Sequence, residues 1–122
     1  SRSSEQLGAA IDDWVVYRVD DTIQGCSGLD LLGENDAEIV GLAVTPPHRA
    51  SNVGRRLVEL LLQRASERGT NRVFVLTTQA IDFFQELGFR DADLAALPVS
   101  RRGSYNQQRG SRILMIDPRQ AK

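Results

Sequence analysis

The stretch "AEIVGLAVTPPHRASNVGRRLVELLLQRASERG", Ala37 to Gly69, decides the reading of this chain. Its opening segment, Ala37 to Thr45, is apolar on consecutive rather than alternating positions, as expected of a strand covered on both faces. Pro46-Pro47 ends it. From Val53 the apolar residues Val53, Leu57, Val58, Leu61, Leu62 and Ala65 recur at helical spacing, and Gly69 supplies a stop after Arg64 and Arg68. The connection between strand and helix therefore ends at a helix N-terminus. Backbone N–H groups there lack intrahelical partners, and the helix dipole favours an anion.

Within that connection Gly54 lets the backbone approach a ligand closely, and Asn52 is of a type that tolerates a left-handed conformation. Arg49, Arg55 and Arg56 add charge. On the pattern alone a phosphate cradle and a solvated basic loop are equally good readings. A P-loop is excluded, because the region has no GK[ST] and no lysine. A dinucleotide fingerprint is excluded too, since its second and third glycines are absent.

Outward from this unit, "RVFVLT" (Arg72 to Thr77) reads as a second buried strand. A right-handed strand–helix–strand crossover makes the two strands parallel, and a site is expected at their C-terminal ends. A short helix from about Ala80 to Leu87 closes with "LGF". An acidic, alanine-rich connection and a Ser/Arg/Gly/Asn/Gln stretch then lead to a final strand, Arg112 to Ile116. Upstream, Trp14 to Val19 and Thr22 to Leu32 are β-rich runs joined by Asp20-Asp21, which reads as a hairpin, with a second turn at Gly33 to Asp36. Ser3 to Asp13 carries Leu7, Ala10 and Ile11 at helical spacing behind serine caps.

The 122 residues suit one domain with one main site. With 41% hydrophobic residues, 25% charged residues and a formal charge of -1, no global field argues for nucleic acid or membrane as partner. The cations are 14 arginines and one lysine, a bias that suits carboxylate or phosphate recognition and equally fits a codon bias. Cys26 is alone and can form no internal disulfide. No run approaches the roughly 20 apolar residues of a membrane span, so the chain is read as cytoplasmic. One Cys and one His cannot build a metal site without several converging carboxylates, and no metal is expected.

Few residues suggest acid–base chemistry. His48 sits beside two prolines in a loop and reads as a surface residue rather than a base. Cys26 reads as a buried, inert thiol. Glu38 opens an otherwise apolar strand: its carboxylate either faces solvent or sits in a cleft, where burial would bring it into a general base's range. Tyr105 falls in a polar segment with Arg101, Arg102, Arg109 and Ser111. That cluster could fork onto carboxylates while the phenol donates a proton, or could be a loop with one packed ring.

Taken together, the opening stretch, then "VFVLTT", then "AIDFFQELGF" resemble the core of the GNAT acetyltransferases, whose signature is Q/R-x-x-G-x-G/A followed by a strand and an A-x-x-F-Y-x-x-x-G-F-like helix. Further, "FVLTT", "FFQELGF", "ALP" and "YNQQRGSRIL", with the opening "SEQLGAAIDDWVVYRVDDTIQGCSGL", are similar to the acetyltransferase domain of N-acetylglutamate synthase, the amino-acid N-acetyltransferase that opens arginine biosynthesis. The resemblance extends over most of the chain. It implies an α+β fold with a mixed, mostly antiparallel sheet and a central parallel pair splayed for acetyl-CoA.

On that resemblance, Leu42, Ala43 and Val44 hold the pantetheine arm, and Arg49, Ala50, Ser51, Asn52, Val53, Gly54 and Arg55 take the pyrophosphate. Thr77 and Phe84 complete the cofactor contacts. Arg109 and Ser111 match the synthase's carboxylate-binding pair, with Arg101 or Arg102 as a weaker match, so L-glutamate is the implied acceptor. Glu38 is the implied base, through water, and Tyr105 the implied acid for the departing thiolate. Three departures stand out: Asn52 replaces the first glycine of the motif and is expected to take that glycine's positive φ, Phe84 replaces the tyrosine of many relatives, and the family's first strand and first helix have no counterpart. The chain is accordingly read as one N-terminally incomplete domain, residues 1–122, that functions as a homo-oligomer or behind an amino-acid-kinase-like domain. Acetylation of another amine or a peptide N-terminus, and a non-catalytic CoA-binding module, are the alternatives.

Overall fold

The computed structural model describes residues 13–46, 52–105 and 110–121. Among the described residues six strands form one sheet in the order β1-β2-β3-β4-β6-β5. These are β1 (Asp13–Val19), β2 (Thr22–Leu31), β3 (Asp36–Val44), β4 (Arg72–Thr77), β5 (Arg90–Asp91) and β6 (Arg112–Ile116). Helices α1 (Val53–Glu67), α2 (Ile81–Glu86) and α3 (Val99–Tyr105) complete the α+β fold, with short 3₁₀ turns at Leu94–Ala96 and Pro118–Gln120.

The β1–β2 hairpin turns on Asp20 and Asp21, both at positive φ (51° and 66°), which matches the twist that a two-residue hairpin needs. All ladders are antiparallel except β3–β4. That parallel ladder is short: Asp36, Ala37 and Glu38 face Arg72, Val73 and Phe74, and pairing stops. Beyond it β3 stays with β2 as far as Val44, while β4 stays with β6 as far as Thr77. The strands part where the resemblance implies that they should. As a result β3 is buried on both faces only over Ala37, Glu38 and Ile39, and is open from Gly41 onward, so the doubly covered strand read from the sequence holds for its first half.

Alternation sorts the side chains between two faces. Ala37, Ile39, Val73, Val75, Leu114 and Ile116 pack with α1 residues Leu57, Val58, Leu61, Leu62 and Ala65 in the larger core. Phe74 and Ile113 point the other way and cluster with Leu97, Leu76, Met115 and Tyr105. Glu38 follows the second set, since it is paired in register with Phe74.

Two elements differ from the sequence reading. The N-terminal helix expected over Ser3 to Asp13 lies outside the described residues except at Asp13, which opens β1 instead. There its carboxylate accepts from Arg64 at 2.6 Å and lies 3.7 Å from Arg68, both on the helix side of the sheet. Helix α3 was not expected. "VSRRGSY" has no apolar periodicity, but Pro98 opens it, its carbonyl accepting from the N–H of Arg101 and Arg102 at 2.9 and 3.2 Å.

Candidate active site

The gap between β3 and β4 opens into a cleft with two connected parts. The inner part, about 270 Å³, is lined by Glu38 at its closed end, by Gly41 and Leu42 of β3, by Thr77 of β4, and by Ala80 and Phe84. The outer part, about 750 Å³, shares Leu42 and Ala80 and continues past Ala43 and Val44 to Asn52, Gly54 and Arg55. Its opposite wall is Gln79, Phe83 and Glu86.

Most of the expected cofactor residues thus come together: Leu42, Ala43, Val44, Asn52, Gly54 and Arg55 outside, Thr77 and Phe84 inside. Val53 is an exception for its side chain, which is buried in the core against α1's own apolar face. Arg49, Ala50 and Ser51 lie outside the described residues. Asn52 is a correction: its φ is -86° and its ψ 15°, so it is a right-handed N-cap and not a glycine mimic. The helix starts on its carbonyl, which accepts from the N–H of Arg56 at 2.9 Å, and that geometry needs no positive φ.

The N-terminus of α1 nonetheless lines the outer cleft. Asn52 makes no side-chain cap, and the first turn holds no acidic residue, so its leading N–H groups face the outer cleft unsatisfied by the helix itself. A side chain at Gly54 would place its Cβ 3.4 Å from Phe83 Cζ and 3.7 Å from Val44 Cγ2, so glycine keeps the passage between the walls open. The cleft thus runs from a narrow slot beside backbone to a helix N-terminus, where Arg55 is ion-paired with Glu59 at 3.4 Å and Glu86 lines the opposite wall.

Gly41 shapes the inner slot. It has φ 62°, and the β2–β3 register shifts between Cys26 and Gly28, opposite this part of β3. The ring of Trp14 lies so close that a Cβ on Gly41 would meet Cη2 at 2.7 Å. Among the described residues no group accepts from the buried Trp14 Nε1. Cys26 sits nearby with its thiol 3.9 Å from the Gly41 carbonyl, and burial pushes its pKa up, consistent with an unreactive thiol.

Glu38 is 5% exposed, so the solvent-facing alternative is excluded. Its partner is Arg101 of α3: Nε donates to Oε1 at 2.6 Å and Nη2 to Oε2 at 3.0 Å, a fork on both carboxylate oxygens. The hydrogen bond to Glu38 is the main reason that the Arg101 pKa lies above the ordinary guanidinium value, with burial opposing it. Arg101 therefore stands beside the expected base and not in the outer polar segment where the sequence put it. Arg102 is a clearer correction: its guanidinium donates to the carbonyls of Leu97 and Ala95, both at 2.9 Å, and so braces α3 from behind.

Tyr105 and Ser111 meet each other away from the cleft. The phenol donates to the Ser111 carbonyl at 2.7 Å, and both line a separate cavity of about 330 Å³ with Asp91 and Leu94. That cavity shares no lining residue with either part of the cleft. Arg109 lies outside the described residues. Sequence reasoning missed Gln79, Ala80 and Phe83, although "FF", which begins six residues after the end of β4, was the available signal: Phe84 is buried against the inner part of the cleft and Phe83 lines the outer part. The two rings meet edge-on, with centroids 5.0 Å apart.

The model of the Acetyltransferase (GNAT) family matches residues 4–89. The chain belongs to the GNAT family. Over 117 residues it is 41% identical to the amino-acid acetyltransferase of Buchnera aphidicola subsp. Acyrthosiphon pisum and 39% identical to that of Escherichia coli strain K12. Each match covers 95% of this chain and 26% of the relative, so the chain spans about a quarter of the length of the curated relatives it matches. Among solved structures, N-acetylglutamate synthase from Neisseria gonorrhoeae, complexed with coenzyme A and N-acetyl-glutamate, is similar with a TM-score of 0.81 at 30% identity. That match covers 86% of this chain and 25% of the other. The GNAT fold expected from the sequence is thus the observed one, and its parallel-strand gap is the cleft. Among the described residues no cluster of His, Cys, Asp or Glu could hold a metal ion, and no helix is long and apolar enough to cross a membrane.

Proposed function

We infer that this domain transfers the acetyl group of acetyl-CoA to the α-amine of an amino acid, with L-glutamate as the acceptor, a reaction of arginine biosynthesis. The observation that carries the reading is Glu38, a buried carboxylate at the closed end of a cleft whose open end is an anion-ready helix N-terminus. Similarity to amino-acid acetyltransferases, and to a synthase complexed with N-acetyl-glutamate, supports the choice of acceptor.

In this reading Leu42, Ala43 and Val44 align the pantetheine arm along the free edge of β3. The α1 N-terminus and Arg55, with Arg49 to Ser51, hold the pyrophosphate. Arg109 takes an acceptor carboxylate, while Ser111, in the separate cavity with Tyr105, does not reach the cleft in this geometry. Acetyl-CoA supplies an acyl group activated as a thioester, and the acceptor must lose an ammonium proton before its nitrogen can attack. Glu38 takes that proton through water. The N–C bond forms as the C–S bond breaks, backbone N–H on the free edge of β3 polarises the carbonyl, and the second nitrogen proton ends on sulfur. One proton returns to solvent per turnover. Tyr105 would have to give up the Ser111 carbonyl to reach sulfur, so water carries that proton.

The test is thiol release from acetyl-CoA across a panel of amino acids and simple amines. L-glutamate should give the highest kcat/KM. Preference for a carboxylate-free amine or a peptide N-terminus would move the activity to another acceptor, and tight acetyl-CoA binding with no turnover would make this a binding module.

A further inference from the structure

Ser27 of β2 is a hydroxyl in an apolar place. It is wholly buried, its register partner is Val15 and its neighbour on the same face is Leu29, both in the core beneath α1. A valine or alanine there would avoid the cost of burying a polar group. The hydroxyl instead donates across the sheet to the Val40 carbonyl of β3, at 3.1 Å. That carbonyl belongs to a bulge: Gly28 pairs with Val40 and Cys26 with Ala43, so Ser27 alone stands opposite both Gly41 and Leu42.

In a planar trans peptide the C=O and the following N–H point opposite ways. Holding the Val40 oxygen on the β2 side therefore turns the N–H of Gly41 toward the gap between β3 and β4. The next peptide is turned alike. The Cys26 thiol lies 3.9 Å from the Gly41 carbonyl, and burial raises its pKa, so it stays protonated and able to donate, and the Leu42 N–H faces away from β2. Two successive N–H groups on one side call for a left-handed residue between them. Gly41 has φ 62°, and the Trp14 ring fills the space that a side chain would take. Pairing with β4 has already stopped at Glu38, and both bulge residues line the inner cleft.

We propose that Ser27 is the positioning residue of the thioester site: by holding the Val40 carbonyl it fixes the bulge and aims the Gly41 and Leu42 N–H groups as a pair at the acyl oxygen of acetyl-CoA. The inference rests on the acetyl transfer proposed above and deepens it. Backbone N–H groups that converge on one point make a concavity for negative charge, and they count most where charge develops, here on the carbonyl oxygen as the amine adds. The hydroxyl touches no substrate and acts through the backbone. Without it β3 stays paired on both sides of the bulge, so the outer cleft is kept while the aim of the two N–H groups is lost.

Isotope-edited infrared spectroscopy of bound acetyl-CoA, labelled with ¹³C at the acyl carbonyl, reads that polarisation with no acceptor present. The wild-type complex should show the thioester band below its position in free acetyl-CoA. Ser27→Ala should return the band most of the way, with CoA affinity unchanged by calorimetry, and Ser27→Cys, which keeps the shape and a weaker donor, should lie between. Thr70→Ala removes another buried side chain that bears a hydroxyl, at the turn between α1 and β4, and should keep the wild-type band. In steady-state assays Ser27→Ala should lower kcat about 10-fold at unchanged KM for acetyl-CoA, less than the roughly 10²–10³ that loss of a whole oxyanion donor costs. An unshifted band in wild type, a full shift retained in Ser27→Ala, or an equal loss of shift in Thr70→Ala overturns the proposal. If Ser27→Ala does not fold, the Ser27→Cys band decides alone, and a shift as large as wild type overturns it. A wild-type shift that Ser27→Ala loses, in a protein that acetylates no amino acid or amine, would sink the proposed reaction and leave the role of Ser27 standing.

Discussion

Asp36 and Arg72 form the first rung of the parallel pair and are joined by a bidentate ion pair, with Arg72 Nε 2.8 Å from Oδ1 and Nη2 3.1 Å from Oδ2 of Asp36. The preceding turns are tied as well, since the Asn35 carbonyl accepts from the N–H of Asn71 and Arg72 at 2.7 and 3.2 Å. The closed end of the fork between β3 and β4 is thus clamped at one point, and the open end is left to the ligand. Arg72 is about two-fifths exposed and its guanidinium also lies 5.2 Å from the centroid of Phe74. Asp36→Ala should therefore lower stability by about 1 kcal/mol, the upper end for such pairs. Arg72→Ala should cost more, because it also loses the ring contact, worth about 0.5–1 kcal/mol at a partly exposed site. Urea melts of the two variants check the order, and equal losses would mean that the ring contact contributes nothing.

Gly41→Ala places a Cβ against the Trp14 ring at a left-handed backbone position. The strain alone should cost on the order of 1–3 kcal/mol. If β3 relaxes by moving toward the cleft, CoA affinity should fall with stability. Chemical denaturation and calorimetric titration with CoA on the same sample separate the two effects.

At Gly54 the two effects should run in opposite directions. Gly54→Ala in the first turn of α1 gains helix propensity, up to about 0.5–1 kcal/mol, while its Cβ narrows the passage beside Phe83. The expected result is a protein at least as stable as wild type that binds CoA more weakly. Gly54→Val should nearly abolish CoA binding. Unchanged CoA affinity in both variants would remove Gly54 from the binding path.

The Asp117 carboxyl caps the last 3₁₀ turn, accepting from the backbone N–H of Arg119 at 2.9 Å and from its guanidinium at 3.0 and 2.6 Å. The guanidinium hydrogen bond first, and the backbone N–H second, lower its pKa from 3.8 to about 2. Because the folded value lies below the unfolded one, the cap's contribution is present above pH 4 and is lost as pH falls through about 2. Carboxyl ¹³C titration should find Asp117 protonating with a pKa of about 2, and Arg119→Ala should raise it only part of the way to 3.8, because the backbone N–H remains.

The fold was legible where periodicity and burial agree. The continuous apolar run at Ala37 to Thr45, the helical spacing from Val53 and the Asp20-Asp21 turn each carry their own physical signal, and each produced its element. Helix α3 left no such signal, because it is held by Pro98 and by side chains reaching other elements and not by an apolar stripe. In the site, the cofactor wall on β3 and α1 could be read because a strand–loop–helix unit fixes where N–H groups point. What a side chain meets across the sheet could not. Arg101 and Glu38 are 63 residues apart, and only the turn of α3 over the far face of the sheet makes them partners. Asn52 misled because its residue type permits a left-handed backbone without requiring one, and the first turn of α1 asked for an ordinary N-cap.

The most direct test of the account is the rate of thiol release from acetyl-CoA with L-glutamate, compared between wild type and Glu38→Gln, with CoA affinity measured on both. The glutamine oxygen can accept from one of the two Arg101 donors, but its NH2 cannot accept from the other, so some stability is lost and CoA affinity is the check that the folded cleft is kept. The account predicts a kcat lowered by about 10²–10⁴-fold, the usual contribution of a general base. A Glu38→Gln protein that acetylates L-glutamate at the wild-type rate would contradict it.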